Sequence, residues 1–201
     1  MSTDEAAQAA VERAVLARAR ALDAAPTLAL LAAFQPILRG VTDAALTHED
    51  ERTATLCSWL GLHLKRLGSY APAQSYLERA LAICERVLGP EHPDTANSLN
   101  NLAGLHQDQG DYAPARPLLE RALTIRERVL GPEHPDTARS LANLAILLFD
   151  QGDFASAIPL MERALRIRRR SLGPTHPHTM ASERSLEVMR RAAARGQPGD
   201  E

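Results

Sequence analysis

From Arg52 onwards the apolar residues of the chain fall at helical spacing, with Leu56, Leu60 and Leu64 marking one face of a predicted helix over 53–67. Gly68 punctuates that stretch, and a second helix is predicted from Tyr70 to Leu88. The same pattern then returns at a fixed interval. Gly68, Gly110 and Gly152 are 42 residues apart, as are Tyr70, Tyr112 and Phe154, and Ala80, Ala122 and Ala164. The nonapeptide Leu88-Gly-Pro-Glu-His-Pro-Asp-Thr-Ala96 recurs letter for letter at Leu130–Ala138 and more loosely from Leu172. A constant period of this size marks one helix-turn-helix unit stacked on copies of itself.

The period divides residues 52–194 into repeats at 52–92, 93–134 and 135–176, with a lone helix predicted at 177–194. In each repeat a first helix (A) is followed by a second (B): 93–109 with 112–130, then 135–151 with 154–172. Gly89, Gly131 and Gly173 supply the left-handed residue that ends a helix, and the proline after each prevents continuation. Pro93, Pro135 and Pro177 suit the first turn of the next helix, where Asp94 and Asp136 face its positive end. Small residues at Gly61, Ala103 and Ala145 on helix A, and at Ala80, Ala122 and Ala164 on helix B, allow close approach within a pair.

Residues 1–51 carry no such register and are predicted as a helical extension. Val11, Val15, Leu16 and Leu22 form a thin apolar stripe over 4–24. Pro26 opens a second apolar segment, which Pro36 interrupts and Gly40 is expected to close. At the other end, Glu183 and Glu187 stand where earlier repeats place Leu99, Leu141, Ala103 and Ala145, so the last helix is expected to be a solvated cap. Residues 195–201 are expected to be a disordered tail.

Composition adds limits. Aromatics are only 3% of 201 residues and hydrophobics 45%, dominated by Ala and Leu, which favours helix throughout. A net charge of -2 gives no general attraction to nucleic acid or anionic membranes. No apolar run is long enough to span a bilayer, and the N-terminus does not read as a signal peptide. Cys57 and Cys84 form neither a metal spacing nor a disulfide framework, so a cytoplasmic setting is expected. Cys57 aligns with Leu99 and Leu141, hence core, and Cys84 with Arg126, hence partly exposed.

The run Asn101-Leu-Ala-Gly-Leu105, then Gln-Gly110-Asp-Tyr-Ala-Pro-Ala115, Leu119 and Ala122-Leu resembles the tetratricopeptide repeat. The 42-residue period and the Leu-Gly-Pro-Glu-His-Pro-Asp-Thr-Ala linker resemble its kinesin-light-chain type, the usual period being 34 residues. The resemblance implies an all-α, right-handed solenoid of three repeats plus a C-terminal capping helix and an N-terminal helical extension. It implies a non-catalytic protein–protein interaction module, a scaffold, adaptor or sensor, that holds a peptide or partner helix in a concave groove lined by helix A.

Carried over by register, groove positions are Thr55, Ser58, Trp59, Leu62, Lys65 and Arg66 in the first repeat. The second supplies Asn97, Asn100, Asn101, Gly104, Gln107 and Asp108. The third supplies Arg139, Asn143, Ile146, Phe149 and Asp150, and the cap Arg184, Ser185 and Val188. Asn101 and Asn143 stand where related proteins hold a peptide backbone. A carboxamide both donates and accepts, although the same residues could instead bond neighbouring helices. Arg139 and Arg184 would favour an acidic ligand. Trp59 or Phe149 would anchor an apolar side chain, the alternative for Trp59 being to cover the open end against the N-terminal helices.

No cofactor is implied, and no metal. Equivalent histidines His92, His134 and His176 lie two helices apart, about 16–20 Å, too far to share an ion whose ligands lie about 2 Å away. They read as linker caps. Arg163, Arg166, Arg168, Arg169 and Arg170, with Arg190, Arg191 and Arg195, form a basic helix end, but no aromatic platform accompanies it, so nucleic acid is disfavoured. A homo-oligomer is the competing arrangement, with the N-terminal helices of one copy filling the groove of another.

Overall fold

The computed structural model describes residues 9–18, 28–46 and 48–196. Among them are nine helices and no strand. Helix α1 covers residues 9–18 and α2 Leu28–Ala45. The repeats follow as α3 (Glu51–Arg66) with α4 (Tyr70–Val87), α5 (Pro93–Asp108) with α6 (Tyr112–Val129), and α7 (Pro135–Asp150) with α8 (Phe154–Leu172). Helix α9 (Pro177–Gly196) ends the described chain. Residues 197–201, where most of the expected tail lies, are outside the described residues, and Arg195 and Gly196 are still helical. Two compact units divide the chain, Met1–Leu105 and His106–Glu201.

In the first unit α2 packs on α3 and α3 on α4. Leu56, Leu60, Leu77, Ile83 and Leu99 are fully buried, each stabilising the unit by roughly 1.5–3 kcal/mol through removal of apolar surface from water. Gly61 lies where α3 meets α4: a Cβ built there would come 2.6 Å from Leu77 Cγ. In the second unit α6 packs on α7, α7 on α8 and α8 on α9, around Leu119, Ile125, Leu141, Leu147 and Met161.

The recurring nonapeptide is a closed circuit of local hydrogen bonds. Leu88 and Gly89 N–H donate to the Cys84 carbonyl at 2.9 and 3.2 Å, and Gly89 takes φ +99°, which a Cβ would oppose. The Thr95 hydroxyl then donates to the Gly89 carbonyl at 2.7 Å, and the Asp94 N–H donates to His92 Nδ1 at 3.1 Å. The second linker repeats this: Thr137 Oγ1 to Gly131 O at 2.8 Å and Asp136 N–H to His134 Nδ1 at 3.1 Å. In the third, His178 N–H donates to His176 Nδ1 at 3.2 Å, while the buried Thr179 hydroxyl finds no partner. The histidines thus close the first turns of α5, α7 and α9. One period earlier Asp50 does the same work for α3, accepting the Thr53 N–H at 2.8 Å. We expect His134→Ala to lower stability by about 1 kcal/mol, as loss of a helix N-cap does, with the helix content by circular dichroism retained below the melt. An unchanged melting temperature would show that the cap carries no stability.

Two expectations for the N-terminal extension need correction. Gly40 does not close a helix; α2 runs through both Pro36 and Gly40 to Ala45. Tertiary packing overrides the local signals: Phe34, Leu38 and Ala45 are buried, Phe34 meets the His63 ring edge-on at 6.3 Å, and the Thr42 hydroxyl returns to the Leu38 carbonyl at 2.7 Å. The stripe on α1 is also narrower than expected, since Val15 and Leu16 are buried but Val11 is exposed, and Leu22 lies outside the described residues. In their company Glu12 is buried with Arg52 Nη1 at 3.9 Å.

Candidate functional site

In the first unit the N-terminal halves of α3 and α5 leave an open polar cleft of about 330 Å³. Thr55, Ser58, Asn97 and Asn101 line it, with Cys84 and Ser98 also in its wall and the carboxylates of Glu51 and Asp94 beside them. Asn101 is half-buried there. Asn97 Nδ2 is turned to its own first turn, donating to Asp94 Oδ1 at 2.9 Å. Asn100 is instead nine-tenths buried, and its amide donates to the Ala96 carbonyl at 2.7 Å, one turn back. Farther along, Lys65 Nζ donates to the Gly104 carbonyl at 3.3 Å. Trp59 is half-buried on α3, outside the lining of the cleft.

In the second unit the other register positions lie on α7 and α9. Asn143 is half-buried and Ile146 is 37% exposed. Arg139 pairs with Asp136 Oδ1 at 3.1 Å on its own helix. The Phe149 ring is half-buried and lies 5.4 Å from that of Phe154 across the turn, tilted by 49°. Part of its face is thereby used within the chain. Gln107 Nε2 donates to Asp150 Oδ2 at 2.7 Å, tying the end of α5 to the end of α7. Arg184 is exposed on α9.

The residues that sequence reasoning missed sit at one repeat position on helix B. Arg126 is 1% exposed, not solvated, and Cys84 at the equivalent place is buried as well. The expected partial exposure of Cys84 is therefore wrong, because the residue it was aligned with is itself internal. Arg126 Nη1 donates to Ser140 Oγ at 2.6 Å and to the Asp136 carbonyl at 3.2 Å. The one available signal was the serine that accompanies each member: Ser98, Ser140 and Ser182 share the same 42-residue spacing.

Neither thiol is suited to nucleophilic work. Burial pushes Cys57 up to about 12, helped by the Asp43 charge, and burial also raises Cys84. The basic end of α8 is largely committed to ion pairs: Arg163 with Glu127, Arg169 with Glu183, Arg170 with Glu133 and, from α9, Arg190 with Glu162 and Arg191 with Glu187. Those carboxylates cancel much of the field that would draw a polyanion. The pairs also account for Glu183 and Glu187 at positions apolar in earlier repeats. Among the described residues no helix is long and apolar enough to cross a membrane, and no group of three or more His, Cys, Asp or Glu is placed to hold a metal ion.

Paired helices of nearly constant length, joined by recurring linkers and packed through small residues, define an all-α repeat solenoid. The chain belongs to the tetratricopeptide repeat family, whose model matches residues 52–128, 94–170 and 141–195. Nearly identical TPR-like repeats of a Podosopora anserina kinesin-light-chain candidate superpose with a TM-score of 0.74 at 25% identity, over 92% of this chain and 88% of that one. BtubC (BKLC) from P. vanneervenii shares the fold at TM-score 0.72 and 22% identity, over 96% of this chain and 85% of the other. Nephrocystin-3 of Xenopus laevis is 45% identical over 53 residues, which are 26% of this chain and only 4% of that protein. The repeat subclass is accordingly kinesin-light-chain-like, and the fold is one that generally mediates protein–protein interaction.

Proposed function

We propose that the chain is a non-catalytic adaptor or scaffold of the cytoplasm that captures a peptide or partner helix on its helix-A faces. The observation that carries this reading is the open cleft between α3 and α5, where Asn101 stands among hydroxyl and carboxamide side chains on the helix-A side. An amide that donates and accepts pairs with an extended backbone whatever its sequence. On α7, Asn143 holds the equivalent register, with the exposed Ile146 one turn on as an apolar contact. Arg184 gives the second unit a preference for carboxylates, and Arg139 joins it by exchanging its exposed pair with Asp136, which holds it only weakly.

Capture of the native partner from the source cells tests this. Asn101→Ala and Asn143→Ala are each expected to weaken capture by about tenfold, the equivalent of one backbone hydrogen-bond pair, with the melting temperature nearly unchanged. Full-strength capture by the double variant would rule out the helix-A faces as the binding surface.

A further inference from the structure

One position of helix B, repeated at 42-residue intervals, is Cys84, Arg126 and Arg168. In the second unit both arginines are seated in the same way. Arg126 Nη1 reaches Ser140 Oγ and the Asp136 carbonyl, and Arg168 Nη1 reaches Ser182 Oγ and the His178 carbonyl at 3.3 Å. A serine hydroxyl and a helix-start carbonyl, four residues apart, thus form a guanidinium seat that the chain builds twice. The first unit has the same elements at Ser98 and Asp94, but its helix B supplies only a cysteine. The Ser98 hydroxyl turns to Cys84 Sγ at 3.4 Å, and the short thiol leaves the polar cleft of about 330 Å³ beside it.

The charges around the cleft suit a cation. Glu51 and Asp94 line it, and its lining includes no basic side chain. The Cys84 thiol registers this field: burial raises it first, the Ser98 hydroxyl bond works the other way, and the carboxylates of Asp94, Glu51 and Glu85 each raise it further. Burial opposes a charge of either sign, but the part that comes from these carboxylates opposes a thiolate and favours a positive group in the same place.

We propose that this cleft receives the guanidinium of an arginine carried by a bound polypeptide, which takes the place that Arg126 and Arg168 fill from within. The arginine's source rests on the protein-capture reading; the seat itself does not. The Ser98 hydroxyl and Asp94 carbonyl accept from one nitrogen of the guanidinium fork, as the paired acceptors of Arg126 and Arg168 do, and Glu51 takes the other arm from across the cleft. Lysine, a point charge without that fork, is the poorer ligand.

The test is an NMR titration of the full chain, following the Ser98 and Asn101 amides, with a capped alanine peptide holding a single arginine. Citrulline in its place keeps the shape and removes the charge, and is expected to bind about ten- to a hundredfold more weakly. Cys84→Arg, which supplies the internal guanidinium, is expected to abolish arginine-dependent shifts while folding normally. Should that variant not fold, the Glu51→Gln/Ser98→Ala pair is expected to weaken the arginine peptide by about tenfold and the citrulline peptide, which loses only the Ser98 bond, by less. Equal binding of the two peptides, or undiminished binding by folded Cys84→Arg, would overturn the seat. Free L-arginine binding as tightly as the peptide would overturn the polypeptide as its source. None of these failures touches the Asn101 and Asn143 test, so the two readings fall separately.

Discussion

Arg126→Ala is expected to lower the free energy of unfolding by roughly 3 kcal/mol, as read by chemical denaturation. Arg126 is among the largest fully buried side chains of the described residues. Truncation removes its stem from the space between α6 and α7 and leaves the Ser140 hydroxyl and Asp136 carbonyl short of a donor. The Ser140 bond is buried and the Asp136 bond part-buried, and a buried acceptor that loses its donor costs more than the mean worth of a hydrogen bond. Two further variants apportion the loss. Arg126→Met keeps most of the stem and isolates the polar part. Arg126→Cys copies the first repeat, where Cys84 Sγ accepts from the Ser98 hydroxyl, and should cost less than alanine. A loss below about 1 kcal/mol for Arg126→Ala would mean that the guanidinium seat contributes little to the packing of α6 on α7.

Gly61→Val should be similarly damaging, by roughly 3 kcal/mol, for the opposite reason: too much volume and not too little. A Cβ at Gly61 would meet Leu77 Cγ at 2.6 Å, Leu77 Cδ2 at 2.7 Å and the Ala73 carbonyl at 3.2 Å. The leucine tip can turn aside, but the carbonyl belongs to α4 and moves only with the helix. Alanine occupies the same register at Ala103 and Ala145, so Gly61→Ala is the informative control. Its helix propensity gains about 1 kcal/mol over glycine, which offsets much of the displacement of Leu77. Thermal melts should therefore place alanine near wild type and valine far below it. A valine variant melting within a few degrees of wild type would show that α3 and α4 are not held at this spacing by the glycine.

The repeat boundaries were legible because their causes are local. A glycine in the left-handed region, a proline after it and a capping side chain all lie within one linker, and each predicted helix end from Glu51 to Leu172 falls within two residues of the observed one. Where packing decides, local signals misled. Gly40 has open space around it and an ordinary helical backbone, so nothing at that residue stops α2. Arg126 reads as a solvated arginine in an amphipathic pattern, yet its guanidinium is spent on α7. Of the candidate site, register alone brought Thr55, Ser58, Asn97 and Asn101 to one cleft. It could not show that Asn100 turns inward, that Phe149 lies against Phe154, or that the basic end of α8 meets a glutamate at most of its arginines. The last two depend on side chains brought together from separate helices, and the first on burial of that face of α5, whose Asn100 amide then bonds its own helix.

The bonds that shape the first two connecting segments begin and end within some dozen residues, from the Cys84 carbonyl to Thr95 and from the Arg126 carbonyl to Thr137. Such seams are interchangeable. A gene that gains or loses a whole period rejoins at a junction already solved, so the number of units becomes a quantity evolution can adjust by recombination, without inventing a new corner each time.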